Sequence, residues 1–301
     1  MKKQLISLLI ITLFFSCKNE KQTNGKLNVV TTTTMITDLV KNIGGEHINL
    51  QGLMGSGVDP HLYKASEGDV TKLSSADIIF YNGLHLEGKL VEVFEKMKTK
   101  KTIAISDAID KKTLIGSEYF ASNYDPHIWF DITYWKQATQ FIVEVLSEEI
   151  PDQKANFEAN GAKYIEKLNT LKTKLETTIS ELPEEQRILV TAHDAFNYFG
   201  KAFSFQVVGL QGLSTATEAG VQDVQKLSAF IIENKVKAIF VESSVPKRTI
   251  EALQAAVKSK GHEVTIGGTL YSDALGNAGT IEGTYIGMFE YNVNTIVNAL
   301  K

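Results

Sequence analysis

Cysteine is almost absent from this sequence: Cys17 is the one thiol in 301 residues. A single thiol forbids an internal disulfide and any metal centre built from several cysteines, so whatever Cys17 does it does alone. Proline is scarce as well, five residues in all, and no proline-rich or low-complexity tract interrupts the body of the chain. Positive charge is not in excess. The 31 Lys and Arg against 35 Asp and Glu leave a formal charge of −4, without the basic stripe that a phosphate backbone requires, so nucleic acid is not an expected partner. No apolar run reaches the roughly 20 residues of a membrane-spanning helix. There is neither a Walker A loop nor a pair of histidines at i, i+4 spacing, which removes nucleotide hydrolysis and the HExxH hydrolases. What is present is an ordinary globular composition, 43% hydrophobic and 22% charged, with length enough for two cores.

The N-terminus accounts for the cysteine. Lys2 and Lys3 precede an apolar run from Leu5 to Phe15, too short for an anchor helix and suited to an export signal. Ser16 followed by Cys17 resembles the cleavage box of bacterial lipoproteins, in which the cysteine becomes the lipidated N-terminus; simple secretion is the alternative. Residues 1–16 are thus expected to be a signal peptide. Residues 17–26 are expected to be a lipid anchor and tether, since KNEKQTNGK is polar and flexible in composition.

Beyond the tether, eight short β-branched runs alternate with helical patterns, the signature of βα units and a mostly parallel sheet. Four runs precede residue 110 and four follow residue 186. Between them, Tyr164, Leu168, Leu171, Leu175 and Ile179 recur at spacings of three and four, which predicts one amphipathic helix over 152–182, bracketed by Pro151 and Pro183. The predicted fold is α/β with two lobes, 27–151 and 183–301. Each is a four-stranded, mostly parallel sheet with flanking helices, and the long linker helix joins them. Ligands of such sheets collect at the carboxyl ends of the strands.

Six histidines are the residues with chemistry to offer, and any metal site must be assembled from distant segments. Asp-Pro-His occurs twice, as Asp59-Pro60-His61 and Asp125-Pro126-His127. Proline holds the preceding Asp extended and fixes its own φ, which aims the following imidazole and leaves the carboxylate free to accept hydrogen bonds. His193 follows a β-branched run directly, and Asp273 stands in a Gly-bounded loop after the last run. His61 and His127 from the first lobe with His193 and Asp273 from the second would close an N3O shell in the interlobe cleft, suited to Zn2+ and tolerable for Mn2+. Glu242, at the end of another run, is a carboxylate to stand behind a ligand, an additional ligand or a strand-end cap; Asp59 and Asp125 are the other candidates for carboxylates backing the shell. His47 and His262 read as solvated turn residues and His85 as a residue of the site's rim. Trp129, Phe130, Phe196, Tyr198 and Phe199 read as a dry wall around the ligands.

Seven segments then carry a resemblance: GLMGSGVDPHLYKAS (52–66), YNGLHLEGKL (81–90), DPHIWFD (125–131), TAHDAFNYFGKAF (191–203), GLQGLSTATEAG (209–220), FVESSVPKRTIEAL (240–253) and LYSDALG with GTIEGTY (270–285). In this order, from about Leu27 to Lys301, they resemble the zinc/manganese solute-binding lipoproteins of ABC importers, the cluster 9 or TroA-like family. The resemblance implies metal held between two lobes by the residues matching His61, His127, His193 and Asp273. It also implies an ABC permease with its cytoplasmic ATPase as partners, a lipid-anchored protein outside the cytoplasm, and a monomer that binds without catalysing. An imidazole at the position of His193 resembles the zinc-type and dual-specificity members. Lys111 to Tyr124 lacks the His-rich loop of dedicated zinc members, which leaves the choice between Zn2+ and Mn2+ open. A surface adhesin or metallochaperone with the same site, and a secreted zinc hydrolase, are the alternative functions.

Overall fold

A computed structural model describes residues 25–301; the expected signal peptide, Cys17 and residues 18–24 of the tether lie outside the described residues. In the first half, β1 (Leu27–Thr31), α1 (Thr34–Gly44), β2 (Ile48–Gly52), α2 (Glu67–Ser75), β3 (Ile78–Tyr81), α3 (Val91–Lys96) and β4 (Lys101–Ala104) follow in order. The four strands form one all-parallel sheet of order β2-β1-β3-β4, with Leu27 opposite Ile48, Val29 opposite Ile78, and Ile78 opposite Lys101. Val29, Val30, Ile78, Ile79 and Phe80 are buried, as expected for parallel strands covered on both faces by their crossover helices.

Two long helices follow, α4 (Ile132–Glu149) and α5 (Lys154–Ser180). Proline has no N–H to donate and fits a first turn, and Pro151 opens the short 3-10 turn that leads into α5. The five apolar residues whose spacing predicts the helix are all buried, with Phe157 and Gly161 in the same stripe. Gly161, the one potential weak point of this helix, sits where α4 and α5 approach closely: a Cβ there would lie 2.4 Å from Val143 Cγ2. Each fully buried leucine of the stripe contributes about 1.5–3 kcal/mol relative to exposure.

The second half contains β5 (Ile188–His193), α6 (Asn197–Phe203), β6 (Gln206–Gln211), α7 (Val221–Glu233), β7 (Ala238–Glu242), α8 (Arg248–Ser259), β8 (Thr265–Leu270) and α9 (Tyr285–Leu300). Its strands run parallel, as expected, but their hydrogen bonds resolve into two ladders, β5-β6 and β7-β8, with β5 lying alongside β7. At the carboxyl end of β5, where His193 is in register with Gln211 of β6, the backbone N–H of His193 donates to the Glu242 side chain of β7 at 2.8 Å, so a side chain links the two ladders there. One large hydrophobic cluster runs through α1, α4, α5 and α9 and includes strand residues of both halves, Val29 and Phe80 with Leu189 and Phe240.

Candidate metal centre

The two Asp-Pro-His turns are built alike. In each, the Asp carboxylate accepts the backbone N–H of the histidine two residues on, at 2.8 Å for Asp59 and His61 and at 2.9 Å for Asp125 and His127. The second oxygen of each Asp reaches across to the other half, where it accepts from Thr215 Oγ1 at 2.6 Å (Asp59) or Asn197 Nδ2 at 3.1 Å (Asp125). The turns differ at the ring. Asp125 Oδ1 lies 2.7 Å from Nδ1 of His127, whereas the Asp59 carboxylate holds His61 through its backbone.

From the second half come His193 and Asp273. His193 is the last residue of β5 rather than the residue after it, and the turn 194–196 separates it from α6. Glu242, ending β7, stands behind it: Oε2 lies 2.5 Å from Nδ1 while Oε1 accepts the backbone N–H. Asp273 is fixed by its neighbours. The Ser272 carbonyl accepts from Trp129 Nε1 at 3.0 Å, Asn292 brackets the Tyr271 peptide groups, and Leu275 N–H donates to Thr34 Oγ1 at 2.8 Å. The five aromatics expected to wall the ligands are buried, and Trp129 lies edge-on to the His127 ring. Trp129 also donates to the loop before Asp273, and Tyr198 donates its hydroxyl to the Asp125 carbonyl at 2.9 Å.

These segments bring His61, His127, His193 and Asp273 together, with one ligand atom of each within 4.8 Å of all the others. Asp273 Oδ2 lies 3.3 Å from His193 Nε2 and 3.6 Å from His61 Nε2, and Oδ1 lies 3.7 Å from His127 Nε2. A tetrahedral zinc ion with bonds of about 2.0–2.1 Å separates its donors by roughly 3.3–3.4 Å; the distances from the Asp273 oxygens to the three rings, 3.3, 3.6 and 3.7 Å, come close to this. All four side chains are at most 5% exposed. Their three Nε2 atoms and both Asp273 oxygens are buried without a hydrogen-bond partner among the described residues, although buried polar atoms are ordinarily paired. For His127 and His193 a carboxylate on Nδ1 favours the tautomer that leaves Nε2 free to bind.

The electrostatics follow from burial and from this crowding. Burial drives the His61 pKa down to about 3; the Asp273 carboxylate opposes that, and the neighbouring imidazoles His127 and His193 add to it. Burial would lower His193 too, but Glu242 and Asp273 together outweigh it and hold this imidazole well above its usual value. Burial likewise opposes the charge on Asp273, and His193, His61 and His127 reverse the balance, keeping it below the ordinary carboxylate range. A ring of imidazoles around one carboxylate, two of them backed by further carboxylates, is an arrangement that could hold a metal cation.

The remaining histidines stay out of the cluster. His47 packs edge-on against Phe157, and His262 lies in the turn before β8. His85 is exposed beside Phe120, which itself lies edge-on to His61. A cavity of about 460 Å3, lined by Tyr119, Phe120, Asp194 and Gln211 among others, opens beside the cluster. Gly209 is a residue that sequence reading passed over: a Cβ on it would lie 2.6 Å from the backbone nitrogen of Asp194, next to His193. A glycine inside a strand is the signal for such a close approach. Thr215 was equally unmarked, since its partner Asp59 is 156 positions away.

Comparison with known proteins adds kinship to the geometry. A family model described as zinc-uptake complex component A, periplasmic, matches residues 29–299. The manganese-binding lipoprotein MntA of Bacillus subtilis (strain 168) is 49% identical over 282 residues, spanning 93% of this chain and 92% of its own length. The zinc-binding protein TroA of Treponema pallidum (strain Nichols) is 48% identical over 278 residues, 92% of this chain and 90% of TroA. A solved structure of the periplasmic zinc-binding protein TroA matches with a TM-score of 0.89, covering 92% of this chain and 99% of that one.

Proposed function

We propose, on the premise that this chain belongs to the family of periplasmic zinc-uptake complex A components, that it is the extracytoplasmic receptor of a metal ABC importer, capturing Zn2+ or Mn2+ as cargo. That family consists of solute-binding proteins, and its function implies cooperation with a membrane permease and a cytoplasmic ATPase. Among the described residues no helix is long and apolar enough to cross a membrane. A lipid on Cys17 is the anchor we assign, in keeping with the lipoprotein name of the Bacillus relative. Residues 27–151 and 183–301 are taken as the two lobes and 152–182 as their link, with the receptor acting as a monomer.

His61, His127, His193 and Asp273 are the proposed ligands, and the observation that carries them is the set of buried, unpaired donor atoms converging within 4.8 Å. Three imidazoles and one carboxylate fill a zinc tetrahedron, whereas catalytic zinc keeps a position open for water; this favours holding an ion over hydrolysis. Both oxygens of Asp273 face the rings. Asp273 can therefore bind through one oxygen, giving four-coordination for zinc, or through both, which suits the higher coordination of manganese. Metal analysis of protein purified without added metal, followed by zinc/manganese competition, tests the reading. One ion per chain, displaced by either metal, supports it; a protein that binds neither contradicts it.

A further inference from the structure

At the carboxyl edge of the first sheet, hydrogen bonds converge on a residue that sequence reading left inside a motif without a task. Glu87 is 1% exposed. Its Oε1 accepts from Thr32 Oγ1 at 2.6 Å and from the backbone N–H of Asn82 at 2.7 Å, and its Oε2 accepts the N–H of Gly83 at 3.4 Å. The buried carboxylate is thus met by N–H and O–H donors rather than by a cation. To return Glu87 beneath Asn82, the backbone passes through three successive left-handed residues, Gly83, Leu84 and His85, with φ of 84°, 51° and 63°. Left-handed conformations are costly for residues with a Cβ and persist where surrounding contacts enforce them.

What this loop holds leads to two of the proposed ligands. Asn82 Nδ2 donates to the Pro126 carbonyl at 2.9 Å, the peptide group that joins Pro126 to His127. The Asn82 carbonyl accepts from Ser106 beyond β4 at 3.1 Å, and the Thr32 carbonyl accepts from Met54 at 3.0 Å, at the root of the loop carrying His61. The ends of all four strands, the Pro126–His127 peptide and the root of the loop carrying His61 are therefore joined through Thr32, Asn82 and Glu87.

We propose that Asn82 and Glu87 are positioning residues of the metal site: Glu87 locks the loop, and Asn82 grips the Pro126 carbonyl and so sets where the His127 imidazole stands relative to His61. This rests on the assignment of His61 and His127 as ligands. Zinc demands short bonds in a tetrahedron, whereas manganese tolerates longer and more numerous ones, so loosening this pair weakens zinc more than manganese.

The test compares wild type, Asn82→Ala, Glu87→Gln and, as a control for plain destabilisation, Ile79→Ala, which is buried in the same sheet. Zinc affinity is read by chelator competition, the selectivity by zinc/manganese competition, and ligand geometry by the visible absorption of the Co2+ complex. Asn82→Ala is expected to raise the zinc Kd 10- to 100-fold, as loss of groups behind a ligand commonly does. It should also weaken the tetrahedral cobalt bands and shift the selectivity toward manganese. Glu87→Gln, which keeps one acceptor oxygen, should change the same readouts less. Ile79→Ala should lower the melting temperature of the metal-free protein while keeping the zinc Kd and the cobalt spectrum of wild type. If Asn82→Ala does not fold, Glu87→Gln and Thr32→Val are judged by the same readouts. Wild-type binding and spectrum in these variants, or an Ile79→Ala change as large as theirs, overturns the proposal. A wild type that binds neither zinc nor cobalt overturns instead the reading of the site as a metal receptor.

Discussion

In the first half of the molecule four strands share one sheet, and the two imidazoles facing the cluster stand on loops beyond strand ends, each tethered by an Asp two residues earlier. In the second half the strands form two ladders, His193 belongs to a strand, and the carboxylate behind its ring arrives from the neighbouring ladder 49 positions away. Local turns therefore supply precision on one side and packing between ladders supplies it on the other. Charge differs in the same sense. Burial favours the neutral form of His61, while the Glu242 and Asp273 carboxylates outweigh burial at His193 and favour its charged form.

Removing each imidazole from the metal-free protein should expose that contrast most strongly. His193→Ala leaves the Glu242 carboxylate buried without its cationic partner, a change that costs about 3–5 kcal/mol. His61→Ala removes a neutral ring and should cost clearly less. Urea unfolding in the presence of chelator measures both, and equal costs would erase the distinction.

Gly209→Ala probes the packing of the second half. The added Cβ meets the Asp194 backbone, which cannot swing aside as a side chain would, so a loss of about 1–3 kcal/mol is expected, together with weaker zinc binding. Unchanged stability in the same unfolding assay would show that β6 does not constrain His193.

Glu242→Gln and Asp125→Asn compare the two carboxylates behind rings. Each should raise the zinc Kd 10- to 100-fold, about 1.4–2.7 kcal/mol. Asp125→Asn should be the milder, because the backbone of His127 is further held by Pro126 in the same turn. Calorimetric titration with a competing chelator decides between them.

The effect of pH separates the same two histidines more gently. His193 has a folded pKa above 6.5, so its contribution to metal-free stability is complete below about pH 6.5 and is lost as pH rises through the folded value. His61 behaves oppositely: its folded pKa is about 3, so stability falls as pH drops from about 6.5 toward 3 and the unfolded chain takes up a proton the folded one refuses. In His61→Ala the acid-side loss should shrink, and in His193→Ala the loss at higher pH should disappear, in unfolding curves at several pH values. Zinc must displace the His193 proton, so its affinity should fall as pH is lowered, by up to about tenfold per pH unit for one proton.

How much of this was legible in the sequence follows from the same contrast. The doubled Asp-Pro-His and the strand-end positions of His193 and Asp273 were readable because local chemistry places them: a proline fixes a turn, and a strand end in a parallel sheet faces the ligand side. Glu242 could be placed behind the site but not given a partner, since its bonds to His193 depend on how two ladders pack. Asn82 and Glu87 gave no local sign. Asn82 grips a carbonyl 44 positions away, and the left-handed run that returns Glu87 includes Leu84 and His85, residue types that do not announce such a turn. Helix α5 was readable from Tyr164 to Ile179, because 3.6-residue periodicity survives without knowledge of the partners, whereas Phe157 and Gly161 joined the buried stripe unannounced.

The assignment of one closed shell stands or falls on the thermal shift produced by zinc. An ion that binds only the native state at a thousandfold excess over Kd stabilises it by about 4 kcal/mol, a shift in melting temperature that chelator should reverse. His61→Ala, His127→Ala, His193→Ala and Asp273→Ala should each lose most of that shift, while His47→Ala and His262→Ala keep it. Retention of the full shift by any one of the four, or its loss in His47→Ala or His262→Ala, would contradict a shell made of these residues.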